Sequence, residues 1–193
     1  MWTQRPPELR RPVTLNNLEQ AVKLITHFGK GLQQTPSGHW AYNGHVLYNF
    51  IALRGIKGLD MRGEAERFAS QYSEELTNRL VDMETAIYKK EVAECIKPGI
   101  HLEHYQVAAL ISFAHSIGIS NFAHCATVKC INEGKSFEVA ADFMLQWVKV
   151  NTLGLSHKLL LNNKETLKLS PELIGRRKAE KNLFLTGILS LPS

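Results

Sequence analysis

Residues 106–122 read QVAALISFAHSIGISNF, an apolar run at helical spacing that ends in a turn at Gly118. Its content is packing chemistry. It fixes a scaffold helix and carries no reaction by itself.

Upstream, Lys97-Pro98-Gly99 separates this helix from the one before it, because proline disfavours helix in the preceding residue and glycine permits a turn. From Arg62 to about Glu94, Ala65, Phe68, Ala69, Tyr72, Leu76, Leu80, Met83 and Ile87 recur three or four apart, which predicts one long helix broken at most once. VLYNFIAL fits strand or helix, and periodicity does not decide between them. The stretch GKGLQQTPSGHWAYNGH is rich in Gly, Pro, Ser and Asn with aromatics between, and predicts a loop or short hairpin. Before it, residues 15–28 place Leu15, Leu18, Val22 and Ile25 on one helical face, with Thr14 or Asn16 as cap and a stop near Gly29.

Downstream, a short helix is expected over Ala126–Ile131, ended by Gly134. A longer amphipathic helix is expected from Ser136 to Val150, with Phe137, Ala140, Ala141, Met144, Trp147 and Val148 as its apolar stripe. Residues 151–169 are polar and Asn-rich and read as a surface insertion. Ser170-Pro171-Glu172 then supplies an N-cap, a first-turn proline and an acid at the positive helix end, so a terminal helix runs to Leu185 and stops at Gly187.

The 193 residues, 44% hydrophobic and 21% charged, suffice for one substantial core. Lys and Arg exceed Asp and Glu by 23 to 18, a net +5 that favours an anionic partner without naming one. No apolar run reaches the roughly 18 residues a membrane span requires, so no membrane insertion is expected. The opening MWTQRPPELRRP lacks the apolar stretch of a secretory signal and reads as an extended arm over 1–13. Synthesis in a reducing cytoplasm fits the odd number of cysteines, Cys95, Cys125 and Cys130, as buried thiols. His101, His104, His124 and Cys125 show no closed ligand spacing, so neither metal nor cofactor is expected.

Three ordered blocks resemble the phage-type lysozymes, the endolysins of glycoside hydrolase family twenty-four. That family's core helix reads approximately Gln-Phe-Asp-Ala-Leu-Val-Ser-Phe-x-Phe-Asn-x-Gly, and Gln106, Ala109, Leu110, Ser112, Phe113 and Gly118 occupy matching places. Ala140, Ala141, Met144 and Trp147 follow its Ala-Ala-x-x-Phe-x-x-Trp helix. Leu173, Arg176, Arg177, Glu180, Leu183 and Phe184 follow its Leu-x-x-Arg-Arg-x-x-Glu-x-x-Leu-Phe ending. Ala65-Glu66 matches an Ala-Glu pair in the family's linking helix, where the charges read as a solvated face. The resemblance implies a mostly α, α+β lysozyme-like fold in one domain over 14–187. It comprises a small remodelled lobe at about 29–60, a long linking helix and a helical lobe at about 95–187, with a tail at 188–193.

The catalytic block departs from this pattern. Active members carry Phe-Glu-Gly at a helix end, then an Asp or Cys, then Thr-x-Gly-x-Gly-His. Here the words are Phe28-Gly29-Lys30-Gly31 and Trp40-Ala41-Tyr42-Asn43-Gly44-His45. From Thr26 through Ala52 there is no Asp or Glu. Cleaving a glycosidic bond normally needs one carboxylic acid for the leaving oxygen and one carboxylate for water or attack. Glu19, one helix upstream, Asp60, after the hairpin, and a histidine, His39 or His45, are the remaining candidates.

Three functions follow as expectations. The favoured one is a pseudoenzyme derived from a muramidase that binds peptidoglycan or a related glycan, with Trp40, Tyr42 and Asn43 meeting sugars and Arg176 or Arg177 meeting carboxylates. Adjacent arginines on a helix point apart, so only one is expected at such a site. The second is an active endolysin with Glu19 as displaced acid. The third is an interaction module or secreted effector that contacts a protein partner through the remodelled loop and the 151–169 insertion. No nucleic-acid partner is expected. For action on the wall, the resemblance implies release through a holin-like pore or a secretion system.

Overall fold

The structure is a computed structural model that describes residues 16–43, 45–47, 49–50, 62–150 and 168–192. The extended arm, Thr14, Gly44, Asp60 and residues 151–167 of the insertion lie outside the described residues.

The first helix, α1 (Asn16–Phe28), buries Ala21, Leu24, Ile25 and Phe28, with Leu18 and Val22 packed at the margin. A three-stranded antiparallel sheet follows, β1 (Leu32–Gln34), β2 (Trp40–Tyr42) and β3 (His45–Val46), in that order. Leu32 pairs with Tyr42 and Gln34 with Trp40, while Ala41 pairs with Val46 and Tyr42 with His45. The first connection closes through Thr35 N–H to the His39 carbonyl at 2.7 Å and Gly38 N–H to the Thr35 carbonyl at 2.9 Å. The second turns at Asn43, whose φ of 49° lies in the left-handed region that asparagine tolerates. Leu47, Asn49 and Phe50 are helical, which settles the strand-or-helix ambiguity there, and Leu47 and Phe50 are buried.

The expected long helix is broken once, into α2 (Arg62–Gln71) and α3 (Ser73–Cys95), at exposed Tyr72, whose φ of −138° and ψ of 48° leave the helical region. Along α3, Leu76, Leu80, Val81, Tyr88 and Val92 are buried. After Gly99 the chain enters α4 (His104–Ile117). Its start carries a capping box: Glu103 N–H donates to Gln106 Oε1 at 2.8 Å, and the Glu103 side chain accepts from the Gln106 backbone.

Helix α4 is the axis of the molecule. Residues 108–114 are all fully enclosed, because α1, α3 and α8 pack around it. Gly118 turns the chain into α5 (Ile119–His124), then α6 (Ala126–Asn132) and α7 (Phe137–Met144), which Ser136 caps. Here the expected helix to Val150 is cut short. It ends at Met144, and a turn bonding Trp147 N–H to the Met144 carbonyl at 3.2 Å still delivers Trp147 into the core, 6.3 Å from Phe113. Val150 is instead in a two-stranded ladder, β4 (Lys149–Val150) against β5 (Lys168–Leu169), which fastens the ends of the insertion together.

Helix α8 (Pro171–Thr186) starts as expected, with Ser170 Oγ accepting from Leu173 N–H at 3.2 Å and proline in the first turn, and stops at left-handed Gly187. The whole is mostly helical with a small antiparallel sheet. The three cysteines are free thiols, Cys125 and Cys130 buried and Cys95 partly so.

Candidate functional site

The end of α1 meets the sheet at a site defined by two small residues and one amide. A Cβ on Gly29 would stand 2.6 Å from the Ile25 carbonyl oxygen and 3.3 Å from Asn43 Oδ1, so no side chain fits there without moving backbone. Asn43 Oδ1 accepts from Lys30 N–H at 3.0 Å and Gly31 N–H at 3.1 Å, and Asn43 N–H donates to the Gly31 carbonyl at 3.0 Å. Asn43 is therefore a clasp between helix end and hairpin. The first side chain after α1 is the exposed cation Lys30, and the sequence supplies no carboxyl group at this helix end.

On the sheet, Trp40 is half-buried and His45 exposed, so both reach solvent beside this clasp. Tyr42 does not. It is fully enclosed, its ring 4.8 Å from Phe50, and its place among sugar-binding candidates is corrected to one inside the lobe. Burial and the nearby Glu84 carboxylate push the Tyr42 phenol far above its ordinary range. The hydroxyl is buried without a hydrogen-bond partner among the described residues.

Glu84 itself is buried on α3, and its Oε2 lies 2.9 Å from His115 Nε2 on α4. Nε2–H donating to the carboxylate fits this contact, and Tyr88 meets the imidazole edge-on at 5.3 Å. The pair escaped sequence reasoning, which placed the charges of this helix on a solvated face. A second carboxylate also touches the hairpin: Glu66 Oε1 on α2 lies 3.3 Å from His39 Nδ1, both partly exposed. The displaced-acid candidate Glu19 stands elsewhere. Its carboxylate accepts from Lys23 at 2.6 Å in solvent, nine residues and about 13 Å of helix rise before Phe28.

Arg176 and Arg177 form a third arrangement, wholly inside the helical lobe. Arg176 Nε donates to Glu180 Oε1 at 3.0 Å, and its Nη2 donates to the Ser112 carbonyl at 2.9 Å. Ser112 Oγ donates to the same Glu180 oxygen at 2.6 Å. Arg177 Nη1 pairs with Glu180 Oε2 at 3.0 Å, and its guanidinium lies 4.8 Å over the Phe113 ring. Burial pulls the Arg177 guanidinium down to about 10, against the pull of Glu180. Adjacent arginines thus share one carboxylate through its two oxygens, contrary to the expectation that they point apart. Neither offers its charge to a carboxylate from outside, since both are buried.

Away from the hairpin, Lys97, Ala123, His124, Lys129 and Glu133 line a cavity of about 310 Å³. Glu133 is paired there with Lys135 at 2.9 Å. Among the described residues no cluster of histidine, cysteine and carboxylate is arranged to hold a metal ion, and no helix is long and apolar enough to cross a membrane.

A model of the phage lysozyme family matches residues 44–180. No curated protein matches the chain. Among solved structures, the muramidase domain of SpmX from Asticaccaulis excentricus is similar, at 23% identity and a TM-score of 0.58, covering 92% of this chain and 99% of that one. The endolysin from Escherichia coli O157:H7 phage FAHEc1 is similar at 17% identity and a TM-score of 0.59, covering 95% of this chain and 98% of that one. At these identities the likeness is one of fold.

Proposed function

This chain belongs to the phage lysozyme family, and we propose that it binds peptidoglycan or a related glycan at its hairpin without cutting it. One observation carries the reading. No Asp or Glu occurs from Thr26 through Ala52, the position after α1 is closed by the Ile25 carbonyl, and the next side chain is Lys30. A glycosidase needs a proton donor and a second carboxylate at the scissile bond. A binding protein needs neither. Trp40 supplies a flat face for a sugar ring, while Lys30 and the net charge of +5 attract an anionic wall polymer.

The test is sedimentation of the purified protein with insoluble peptidoglycan, with reducing ends assayed in the supernatant. Co-sedimentation without release of reducing ends is the expected result, and Trp40→Ala should weaken it about tenfold, the scale of one lost aromatic contact. Release of reducing ends by the wild-type protein overturns the reading in favour of an active muramidase. Loss of that release in Glu19→Gln or Glu66→Gln would then identify the acid. Failure to sediment would shift the function to a protein partner.

A further inference from the structure

Where the end of α3 meets α5 and α6, Lys97, His124, Lys129 and Glu133 line the cavity of about 310 Å³, with Ala123 and Val128 as its apolar part. That volume lies at the small end of ligand pockets, which run from roughly 300 to 1,000 Å³. One carboxylate stands among three lysines: Glu133 Oε2 lies 2.9 Å from Lys135 Nζ, and its Oε1 lies 3.9 Å from Lys129 Nζ. Lys97, also on the cavity, has no carboxylate partner among the described residues, and Glu94, the last acid of α3, is paired with Lys90 at 4.0 Å. The lysines around Glu133 therefore leave a local excess of two positive charges.

The floor of the cavity is built. Asn132, which ends α6, spends both sides of its amide on the chain leaving α3: Oδ1 accepts from Lys97 N–H at 2.8 Å, and Nδ2 donates to the Cys95 carbonyl at 2.9 Å. Lys97 thus extends from a fixed backbone. His124 donates from Nδ1 to the Ser120 carbonyl at 2.9 Å, because a carbonyl only accepts, and Nε2 is left as the nitrogen open to a ligand.

Lysine is favoured near helix C-termini, and the ends of α3 and α6 would account for one each. They do not account for three lysines sharing one carboxylate, whose mutual repulsion an anion relieves. No arginine lines the cavity, so the planar fork that suits a carboxylate is missing, whereas lysine serves phosphate as a point charge. A phosphate monoester carries about −1.5 to −2 at neutral pH, which matches the excess.

We propose that this cavity binds a phosphate group, free or carried on a sugar-sized molecule. Lys97 and Lys129 are its cationic ligands, His124 is a hydrogen-bonding partner, and Glu133 holds the affinity down. The site does not depend on glycan binding at the hairpin.

The test is a titration of isotope-labelled protein with inorganic phosphate at constant ionic strength, followed by NMR at the amides of Lys97, Ala123, His124, Lys129 and Asn132. Saturable shifts confined to these amides are expected. Lys97→Ala with Lys129→Ala should weaken binding about tenfold, the scale of two exposed charge pairs. Glu133→Gln should tighten it about two- to fivefold, the scale of one repulsion removed. All three side chains are exposed, so melting should stay at the wild-type value and the affinities report on the site. A parallel titration with a glucose phosphate identifies the source. Tighter binding than inorganic phosphate assigns the cavity to a phosphorylated sugar, and equal binding assigns it to the free ion. Shifts that rise without saturating, or that persist unchanged in the double variant, overturn the proposal. So does unchanged or weaker binding in Glu133→Gln, which would make these lysines ordinary surface pairs.

Discussion

The helical lobe and the hairpin use charge in opposite ways. Around α4 and α8, Arg176, Arg177 and Glu180 are buried, Arg176 hydrogen-bonded to Glu180 and Ser112 and Arg177 held by its charge beside Glu180 Oε2 without a hydrogen bond of its own among the described residues, so the cations are internal struts. At the hairpin, Lys30 and His45 are exposed, while backbone geometry at Gly29 and Asn43 does the holding. Residue type alone therefore misleads. An arginine pair looks like a ligand site and is a strut, and a glycine- and asparagine-rich loop looks structureless and is a built clasp.

The sharpest way to break this comparison is at Glu180. Glu180→Gln leaves two buried guanidinium groups without their carboxylate, and should cost about 3–5 kcal/mol and roughly 10 °C in melting temperature by circular dichroism. A loss under about 1 kcal/mol would mean the arginines are not struts. On the hairpin side, Gly29→Ala places a methyl against the Ile25 carbonyl and should cost about 1–3 kcal/mol in urea unfolding. Its exchange signature should be confined to the clasp amides. Spread of that signature into α4 would mean the two regions are not separable.

Asn43→Gly keeps the left-handed turn and deletes two hydrogen bonds, for an expected loss of about 1–2 kcal/mol seen as faster exchange at Lys30 and Gly31. Smallest of all is Glu19→Gln. Its partner Lys23 is exposed, so stability should change by no more than about 0.5 kcal/mol, and peptidoglycan sedimentation should be unaffected. A change in sedimentation would bring α1's exposed face into the site.

How much of this was legible in the sequence follows the same division. The Gln106 helix, the caps of α8, the break after Ile96 and the hairpin all carried local signals of period, cap and turn. The overlong helix to Val150 came from Trp147, which sits at the right interval for the stripe but reaches the core through a turn at Leu145. Burial of a side chain does not require its backbone to be helical. Tyr42 was misplaced because an aromatic in a loop gives no local sign of which side it faces. Glu84 and His115, 31 positions apart, meet only once α3 and α4 pack, and no spacing announces such a pair. The clue available was a departure: His115 stands where the family pattern has a phenylalanine.

The short ladder of Lys149–Val150 with Lys168–Leu169 has a practical consequence. It holds the two chain ends about 4.8 Å apart, so the segment between them enters and leaves the fold through one doorway. With Ser170 N–H also bonded to the Val148 carbonyl at 2.9 Å, the turn that seats Trp147 and the cap that starts α8 hang from one anchor, so strain on either side of it is felt by both.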